Sequence, residues 1–184
     1  IKQFGLKRDR VEIIPLGPED MFFCPRTQTT LSRQVRFVSI GSLNRVKDQT
    51  TLLRAFSSIS QHIDSRLRII GTDFLDNQVQ RTADTLGIAD KVDFLGFVPQ
   101  RELPDHYRWA DILLHTSCYE AQGVVIGEAA ASGAVICGSK VGLIADLGDE
   151  SAIGVPVGDF TTLAESVVQV VRNPARYEQL RMNA

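Results

Sequence analysis

Apolar residues in this chain fall into short continuous runs, each separated from the next by a longer segment of mixed polarity. The runs are rich in Val, Ile and Leu, and several of them stop at a glycine. Such runs are typical of strands that are buried on both faces, where apolar and polar side chains need not alternate. We predict six strands, at residues 35–40, 67–70, 92–95, 111–115, 134–137 and 153–157.

The segments between the predicted strands carry apolar residues at the spacing of an α-helix. Leu52, Phe56 and Ile59 share one side of such a helix, and Gly87 provides a C-cap for the next one. A later segment, from Phe160 onward, has a continuous apolar face. We predict helices at residues 52–59, 75–86, 100–109, 123–131 and 160–171, with a last amphipathic helix from residue 174.

The strict alternation of strand and helix predicts an α/β fold, a Rossmann-like, doubly wound parallel sheet with helices on both faces. In sheets of this kind ligands bind outside the carboxyl ends of the strands. Those ends are Gly41, Gly71, Gly96 and residues 115–120. We therefore expect the chemistry of this chain to lie at that edge.

Length and composition are those of one ordinary globular domain. A chain of 184 residues with 43% hydrophobic and 23% charged residues is long enough to bury a single core. The stretch 26–33 is polar and typical of a loop. We therefore interpret residues 1–30 as an N-terminal connector that packs on the domain, and residues 31–184 as the domain itself.

Net charge and residue usage exclude several classes of function. A formal net charge of -2 gives no global basic field, so we expect no nucleic-acid partner. No apolar run approaches the roughly 20 residues of a membrane helix, and the first residues lack the pattern of a signal peptide. Three cysteines without a C-x-x-C pair favour free thiols in a reducing, cytoplasmic compartment. The three histidines are not spaced as metal ligands, so no metal site is expected.

The loop after the first strand is the first candidate for an anion site. It runs from Gly41 to Lys47, and the whole stretch from Met21 to Lys47 holds five basic residues and no acidic one. Glycine allows close approach of a ligand, the following helix start offers free N–H groups, and Arg45 and Lys47 add full charges. A diphosphate suits this loop. An ordinary strand–helix turn with solvated basic residues is the alternative, and the Gly-Lys-Ser/Thr pattern of a P-loop is absent.

The loop and helix after the fourth strand form the second candidate. Glu120 follows that strand, and Gly123 opens the next helix, so the N–H groups of Gly123, Val124 and Val125 can receive a phosphate. Glu128 lies farther along the same helix among small and apolar residues, where a carboxylate is costly without a partner. A ribose diol would supply two donors. A buried salt bridge for Glu128 and a helix-start acid for Glu120 are the alternatives.

Two common catalytic patterns are absent. No G-x-G-x-x-G follows the first strand, so a dinucleotide oxidoreductase lacks its fingerprint. No G-x-S-x-G surrounds Ser117, so a nucleophile elbow is excluded. We interpret His115 as a structural residue at the end of its strand and not as a base.

In combination, four segments of this chain resemble the C-terminal, donor-binding domain of GT-B glycosyltransferases, specifically glycosyltransferase family 4. The likeness covers nearly the whole chain, and it depends on the order and spacing of the segments because each is weak alone. The segments are IPLGPEDMF at 14–22, similar to I-P-N-G-V-D…F; 41–56, similar to G-R-L…K-G…L-L-x-A-F; VDFLGFV at 92–98; and the E-x7-E motif formed by Glu120 and Glu128.

The resemblance implies a role for each candidate residue. Glu120 would lie beside the donor sugar as the catalytic residue, and Glu128 would hold the ribose of the nucleotide. Lys47 would bind the diphosphate, together with the turn at Gly123, Val124 and Val125. The base of the nucleotide would contact Gly96, Phe97 and Val98. No cofactor or metal is implied, since the nucleotide-diphosphate sugar is the substrate.

This chain departs from the family pattern at three positions. The usual arginine after the first glycine is Ser42, and Arg45 is the candidate to replace it at the diphosphate. The usual glycine and phenylalanine after the first glutamate are Ala121 and Gln122. The amide of Gln122 can bond a sugar hydroxyl, so we expect a sugar contact there.

The function implied is transfer of a hexosyl group from a nucleotide-diphosphate sugar to an unknown saccharide or lipid acceptor, with retention. The N-terminal GT-B domain that supplies much of an acceptor site is absent from this sequence, so we expect little activity from the fragment alone. The full-length enzyme is expected either free in the cytoplasm or bound peripherally to a membrane. A GT-B-like sugar-nucleotide epimerase and a non-catalytic, degenerate donor-binding module are the alternatives.

Overall fold

The computed structural model describes residues 16–24 and 30–184, and its centre is a six-stranded sheet. Residues 1–15 and 25–29 lie outside the described residues. They include much of the predicted connector and, within it, Ile14 and Pro15 of the first family segment. The strands are β1 (Val35–Ile40), β2 (Ser65–Ile70), β3 (Val92–Gly96), β4 (Ile112–His115), β5 (Val135–Ser139) and β6 (Ala152–Val155).

All neighbouring strands are parallel, in the order β3-β2-β1-β4-β5-β6. The chain winds outward from β1 in one direction and from β4 in the other, so the strand order reverses between these two strands. The predicted doubly wound α/β fold is confirmed. Such a reversal opens a crevice at the carboxyl edge, which is where ligands bind in sheets of this class.

The described residues form seven α-helices, of which five lie between strands and two follow the last strand. They are α1 (Gln49–Ser60), α2 (Gln78–Thr85), α3 (Leu103–Trp109), α4 (Val124–Ala131), α5 (Leu143–Leu147), α6 (Phe160–Arg172) and α7 (Pro174–Asn183). Side chains cap several of these helices at their first turn, as Asp48 does by accepting from Thr51 N and Asp159 does by accepting from Thr162 N.

The helix α2 begins later than predicted. Asp73 accepts hydrogen bonds from Leu75 N and Asn77 N, each at 2.7 Å, and so stabilises a turn in place of a first helical turn. Asp76 and Asn77 then adopt left-handed backbone conformations, with φ of 50° and 59°. The prediction of a helix from residue 75 is therefore wrong by three residues, because aspartate side chains compete with the backbone for its donors.

The strand β2 begins earlier than predicted, and α5 was not predicted at all. Arg66 of β2 donates to both carboxylate oxygens of Asp93 on β3, and Arg68 lies 3.7 Å from the centroid of the Trp109 ring. The apolar pattern starts only at Leu67, and these partners allow the strand to include arginines that the pattern does not predict.

The helix α5 has only five residues, too few for a periodic signal.

Two apolar layers cover the sheet. On one face, Phe37 packs against Phe56 of α1 with ring centroids 5.7 Å apart, in a core completed by α2, α6 and α7. On the other face, Val38 joins a core with α3, α4 and α5, where Phe22 packs edge-on against Tyr107 at 5.7 Å. Phe22 belongs to the predicted connector and is fully buried. The boundary at residue 30 stays a prediction.

The buried carboxylate of Asp111 fixes β4 beside β1. Asp111 is fully buried, and it accepts hydrogen bonds from Arg36 N at 2.8 Å and from both Ser32 N and Ser32 Oγ at 3.2 Å. Because a buried carboxylate must be satisfied to avoid a large desolvation cost, these donors set the register of the two central strands at their amino ends. The loops at the opposite ends are positioned in consequence.

Glycines allow the carboxyl ends of β1, β2 and β3 to pack backbone against backbone. Gly41 N donates to Ile70 O at 2.9 Å, and Gly71 N donates to Gly96 O at 2.8 Å. A Cβ added at Gly71 would lie 2.0 Å from Gly41 O. Only a residue without a side chain can occupy that position.

Two further features concern the whole of the described chain. Within residues 16–24 and 30–184, no helix is long and apolar enough to cross a membrane. The same residues contain no group of three or more His, Cys, Asp or Glu side chains that could hold a metal ion.

Replacing Gly71 by alanine should destabilise the fold through this backbone contact. We expect Gly71→Ala to cost about 3 kcal/mol, at the upper end of the range for overpacking. Gly87→Ala is the matched control, since Gly87 has a left-handed φ of +67° but open space around its Cβ position, so it should cost only about 1–2 kcal/mol. Urea unfolding measures both values. Equal losses for the two variants would contradict the close packing at Gly71.

Candidate functional site

Three loops meet at the carboxyl edge of the sheet where the strand order reverses. The loop after β1 is bonded to the loop after β4, because Cys118 N donates to Val46 O at 2.7 Å. The segment after β5 joins them through Leu143 N, which donates to Gln122 O at 2.7 Å. The two loops that the sequence singled out are therefore adjacent.

The side chain of Lys47, from the loop after β1, forms an ion pair with Glu120, from the loop after β4. The same oxygen, Glu120 Oε1, accepts a hydrogen bond from Ser117 Oγ at 2.7 Å and lies 3.1 Å from His115 Nε2. His115 is buried, with 2% of its side chain exposed, whereas 24% of the Lys47 side chain is exposed. Three partners that differ in exposure thus converge on one carboxylate oxygen.

These contacts keep Glu120 ionised. The hydrogen bond from His115, with those from Lys47 and Ser117, lowers the pKa of Glu120 to about 2, although partial burial opposes the change. Donors that bind the charged form of an acid lower its pKa. Glu120 is therefore a fixed negative charge at neutral pH and holds no proton there to donate.

The loop that carries Glu120 rests on the turn after β5. Gly142 has a φ of +51°, and a Cβ added there would lie 2.8 Å from Glu120 Cβ and 2.7 Å from Gln122 O. The backbone of this turn therefore supports the Glu120 loop by direct contact. Gly142 was not among the predicted site residues, although a glycine shortly after a predicted strand is the signal that marks such a contact.

The helix α4 begins at this crevice, and no side chain of the described residues 16–24 and 30–184 caps its first amides. Gly123 is the N-cap residue, with a left-handed φ of 80°, and it forms no side-chain cap hydrogen bond. Val124 is 38% exposed, and Val125 packs against the core on the α3–α5 face. The first N–H groups of an α-helix lack partners within the helix and favour an anion.

Glu128 is buried in α4 and bonded to a tyrosine. Its Oε2 accepts a hydrogen bond from Tyr107 Oη at 2.8 Å, and only 5% of the residue is exposed. Burial raises the pKa of Glu128, the nearby charge of Glu19 raises it further, and the Tyr107 hydrogen bond opposes both. Burial likewise raises the pKa of the Tyr107 hydroxyl above its usual range. Within residues 16–24 and 30–184 Glu128 forms no salt bridge, and its role as a ribose ligand stays a prediction beside the alternative of a buried ion pair.

The side chain of Gln122 is occupied by the connector. Its Nε2 donates to Leu16 O, and its Oε1 accepts from Leu16 N at 3.0 Å. The amide thus pairs with the backbone of residue 16 as a neighbouring strand would. The sugar contact expected of Gln122 stays a prediction, and a sugar would have to use the remaining amide hydrogen or displace Leu16.

The two basic residues of the first loop point to different places. Lys47 reaches Glu120, whereas Arg45 is exposed and lines a polar groove of about 360 Å³ between the starts of α1 and α2. The position of the usual family arginine, Ser42, contributes its carbonyl to a hydrogen bond from Gln49 Nε2 at 3.1 Å. Both the replacement of that arginine by Arg45 and the contact of Arg45 with a diphosphate stay predictions.

The residues expected to contact the base end β3 at the same edge. Gly96 has a left-handed φ of +66°, and Phe97 beside it is 75% exposed. Val98 packs against the core on the α3–α5 face. An exposed aromatic ring at the ligand-binding edge of such a sheet is available to stack on a flat ligand.

Sequence reasoning missed three partners of the predicted site residues. His115 and Ser117 contact Glu120, and Tyr107 contacts Glu128. The short separation of His115 and Ser117 from Glu120 was a usable signal, because all three follow one strand. Tyr107 carried no such signal in the sequence, since its position in an amphipathic helix is equally typical of an ordinary core residue.

Proteins of known identity match this chain over most of its length. Mannosylfructose-phosphate synthase of Agrobacterium fabrum is 34% identical over 151 residues, which cover 72% of this chain and 33% of that protein. Sucrose-phosphate synthase of Thermosynechococcus elongatus has a similar structure, with a TM-score of 0.81 and 25% identity, covering 94% of this chain and 46% of that one. HepE of Anabaena, solved in complex with UDP and glucose, has a TM-score of 0.83 and 20% identity, covering 99% and 53%.

This chain therefore spans about a third to a half of the length of the proteins it matches. The sequence pattern described as Glycosyl transferases group 1 matches residues 26–184, which is most of the chain. The resemblance predicted from the sequence is confirmed at the level of this family. The chain belongs to the glycosyl transferases group 1 family.

Proposed function

We propose that this chain is the donor-binding domain of an enzyme that transfers a hexosyl group, with retention, from a nucleotide-diphosphate sugar to a saccharide or lipid acceptor. The observation that carries the proposal is the convergence of Lys47, Glu120 and the start of α4 at the crevice. A cation, an ionised carboxylate and the amides at a helix start are what a diphosphate linked to a sugar requires.

Lys47 and α4 would bind the diphosphate. The ammonium of Lys47 supplies a full positive charge, and the amides of Gly123, Val124 and Val125 supply donors at the positive end of the helix dipole. Negative charge grows on the departing diphosphate as the bond to the sugar breaks, so these groups stabilise the transition state more than the ground state. Arg45 contributes positive potential from the neighbouring groove.

Glu120 would act on the sugar through its charge. With a pKa of about 2 it is a carboxylate at neutral pH, so proton donation is not its role. Positive charge develops at the anomeric carbon when the diphosphate leaves, and a fixed carboxylate beside that carbon stabilises it. The same carboxylate can accept a hydrogen bond from a sugar hydroxyl and thereby orient the ring.

Glu128 and the end of β3 would bind the nucleoside. Tyr107 is bonded to one carboxylate oxygen of Glu128, and the two hydroxyls of a ribose would satisfy the rest of the group. Hydrogen bonds from a diol favour the charged carboxylate and so offset the burial that raises its pKa. The base would lie against Gly96, Phe97 and Val98.

The matched proteins support a nucleotide sugar as the donor and a second domain as the acceptor partner. HepE holds UDP and glucose in its solved structure, and two other matches carry the names of sugar-phosphate synthases. Because this chain covers only part of each, the acceptor would be bound largely by the remainder of the enzyme. No cofactor is required, since the energy of transfer lies in the bond between sugar and diphosphate.

Lys47→Ala should weaken the binding of a nucleoside diphosphate to this chain. The expected loss is about 1.5–3 kcal/mol, the contribution of a hydrogen bond to a charged group. Arg45→Ala should cost less, and Lys91→Ala should cost nothing, because Lys91 precedes β3 at the opposite edge of the sheet. Titration calorimetry with UDP, GDP and ADP at low and high salt measures this. Equal affinities for Lys47→Ala and Lys91→Ala would remove Lys47 from the site.

Glu120→Gln should lower the turnover of the full-length enzyme without weakening its binding of the nucleotide. Glutamine keeps the shape and removes the charge, so we expect kcat to fall by about 100-fold or more, as for loss of one preorganised electrostatic contact. Nucleoside-diphosphate affinity should stay the same or rise, because Lys47 no longer has a carboxylate partner. Normal turnover with poor nucleotide binding would instead make Glu120 a nucleotide ligand.

A further inference from the structure

We propose that His115 is a positioning residue for sugar transfer, which holds the Glu120 carboxylate in place when the diphosphate of the donor competes for Lys47. The inference rests on the proposed function and adds a residue to it. His115 is not offered as an acid or a base, since its task is to orient another group.

The geometry distinguishes a fixed donor from a mobile one. His115 Nε2 lies 3.1 Å from Glu120 Oε1 and 3.1 Å from Ser117 Oγ. Because Glu120 is paired with the Lys47 ammonium and its carboxylate can only accept, the contact with Nε2 is a hydrogen bond in the tautomer that carries its hydrogen on Nε2. Lys47 approaches the same oxygen from another loop on a long side chain that is partly exposed.

The backbone of His115 has no room to move. It is the last residue of β4 and pairs with Gly138 of β5, and a Cβ added at Gly138 would lie 1.8 Å from His115 O. With 2% of its side chain exposed, the imidazole is enclosed as well. A donor built into a central strand holds its acceptor more precisely than a donor on a loop.

This arrangement matters because Lys47 has two anionic partners during the reaction. In the structure its ammonium is paired with Glu120, and in the proposed complex the diphosphate at the start of α4 competes for it. As the ammonium turns toward the phosphates, Glu120 loses its ion pair with Lys47. Among the described residues, His115 and Ser117 then remain as donors to Oε1, and they keep the carboxylate directed at the sugar.

The test compares two variants of His115 in the full-length enzyme. His115→Leu fills a similar volume and removes the donor, and we expect kcat to fall roughly 10- to 100-fold, the loss of one hydrogen bond to a charged group. The KM for the donor sugar should change less than about twofold, because the nucleotide contacts are untouched. His115→Gln, whose amide nitrogen can reach the position of Nε2, should recover most of the turnover.

A double-mutant cycle separates positioning from a merely structural role. In the Glu120→Gln background the group to be positioned has lost its charge, so His115→Leu should lower kcat little further. Ser132→Ala is the control for loss of a buried hydrogen bond, since Ser132 Oγ is buried and donates to Phe22 O at 3.1 Å at the end of α4 far from the crevice. It should leave both kcat and KM unchanged.

Three results would overturn the inference. They are equal turnover for His115→Leu and wild type, no recovery by His115→Gln, or the same loss from His115→Leu in both backgrounds. Should His115→Leu fail to fold, His115→Asn takes its place, because asparagine has the same amide as glutamine but is one methylene shorter and does not reach Glu120. Wild-type enzyme that transfers no sugar from any nucleotide-diphosphate hexose would instead defeat the proposed function itself.

Discussion

The contact between Lys47 and Glu120 joins the two halves of the sheet at the point where its strand order reverses. A lysine on the loop after β1 and a glutamate on the loop after β4 can meet only if the two strands are neighbours and in register. Asp111 secures that register from the amino ends, by binding the backbone of β1 and the residues before it. The charge arrangement at the crevice therefore depends on a hydrogen-bonded carboxylate at the far end of the same strands.

The close packing of backbone at the carboxyl edge has the same consequence for the remaining loops. Glycines at 71, 138 and 142 let neighbouring segments approach to distances that a side chain would forbid. The result is an edge with little freedom, on which Glu120 is held by a turn beneath it and by His115 beside it. Preorganisation of this kind is what electrostatic catalysis requires, because dipoles and charges that are already oriented need no rearrangement during the reaction.

Sequence patterns predicted the strands, the alternation and the two candidate loops because those features depend on local periodicity and on glycine. They could not predict which way a long side chain points. Arg45 and Lys47 looked equivalent in the sequence, yet one lines the groove between α1 and α2 and the other meets Glu120. Nor could they show that Gln122 would pair with Leu16, or that Tyr107 would reach Glu128, since both contacts join segments whose proximity is created by the fold.

The most direct test of the account is a crystal structure of this chain with a nucleoside diphosphate bound. We expect the diphosphate at the start of α4, with Lys47 Nζ turned from Glu120 to a phosphate oxygen, the ribose hydroxyls on Glu128, and Glu120 still bonded to His115. A diphosphate held by Arg45 in the groove between α1 and α2, with the Lys47–Glu120 pair intact, would contradict it.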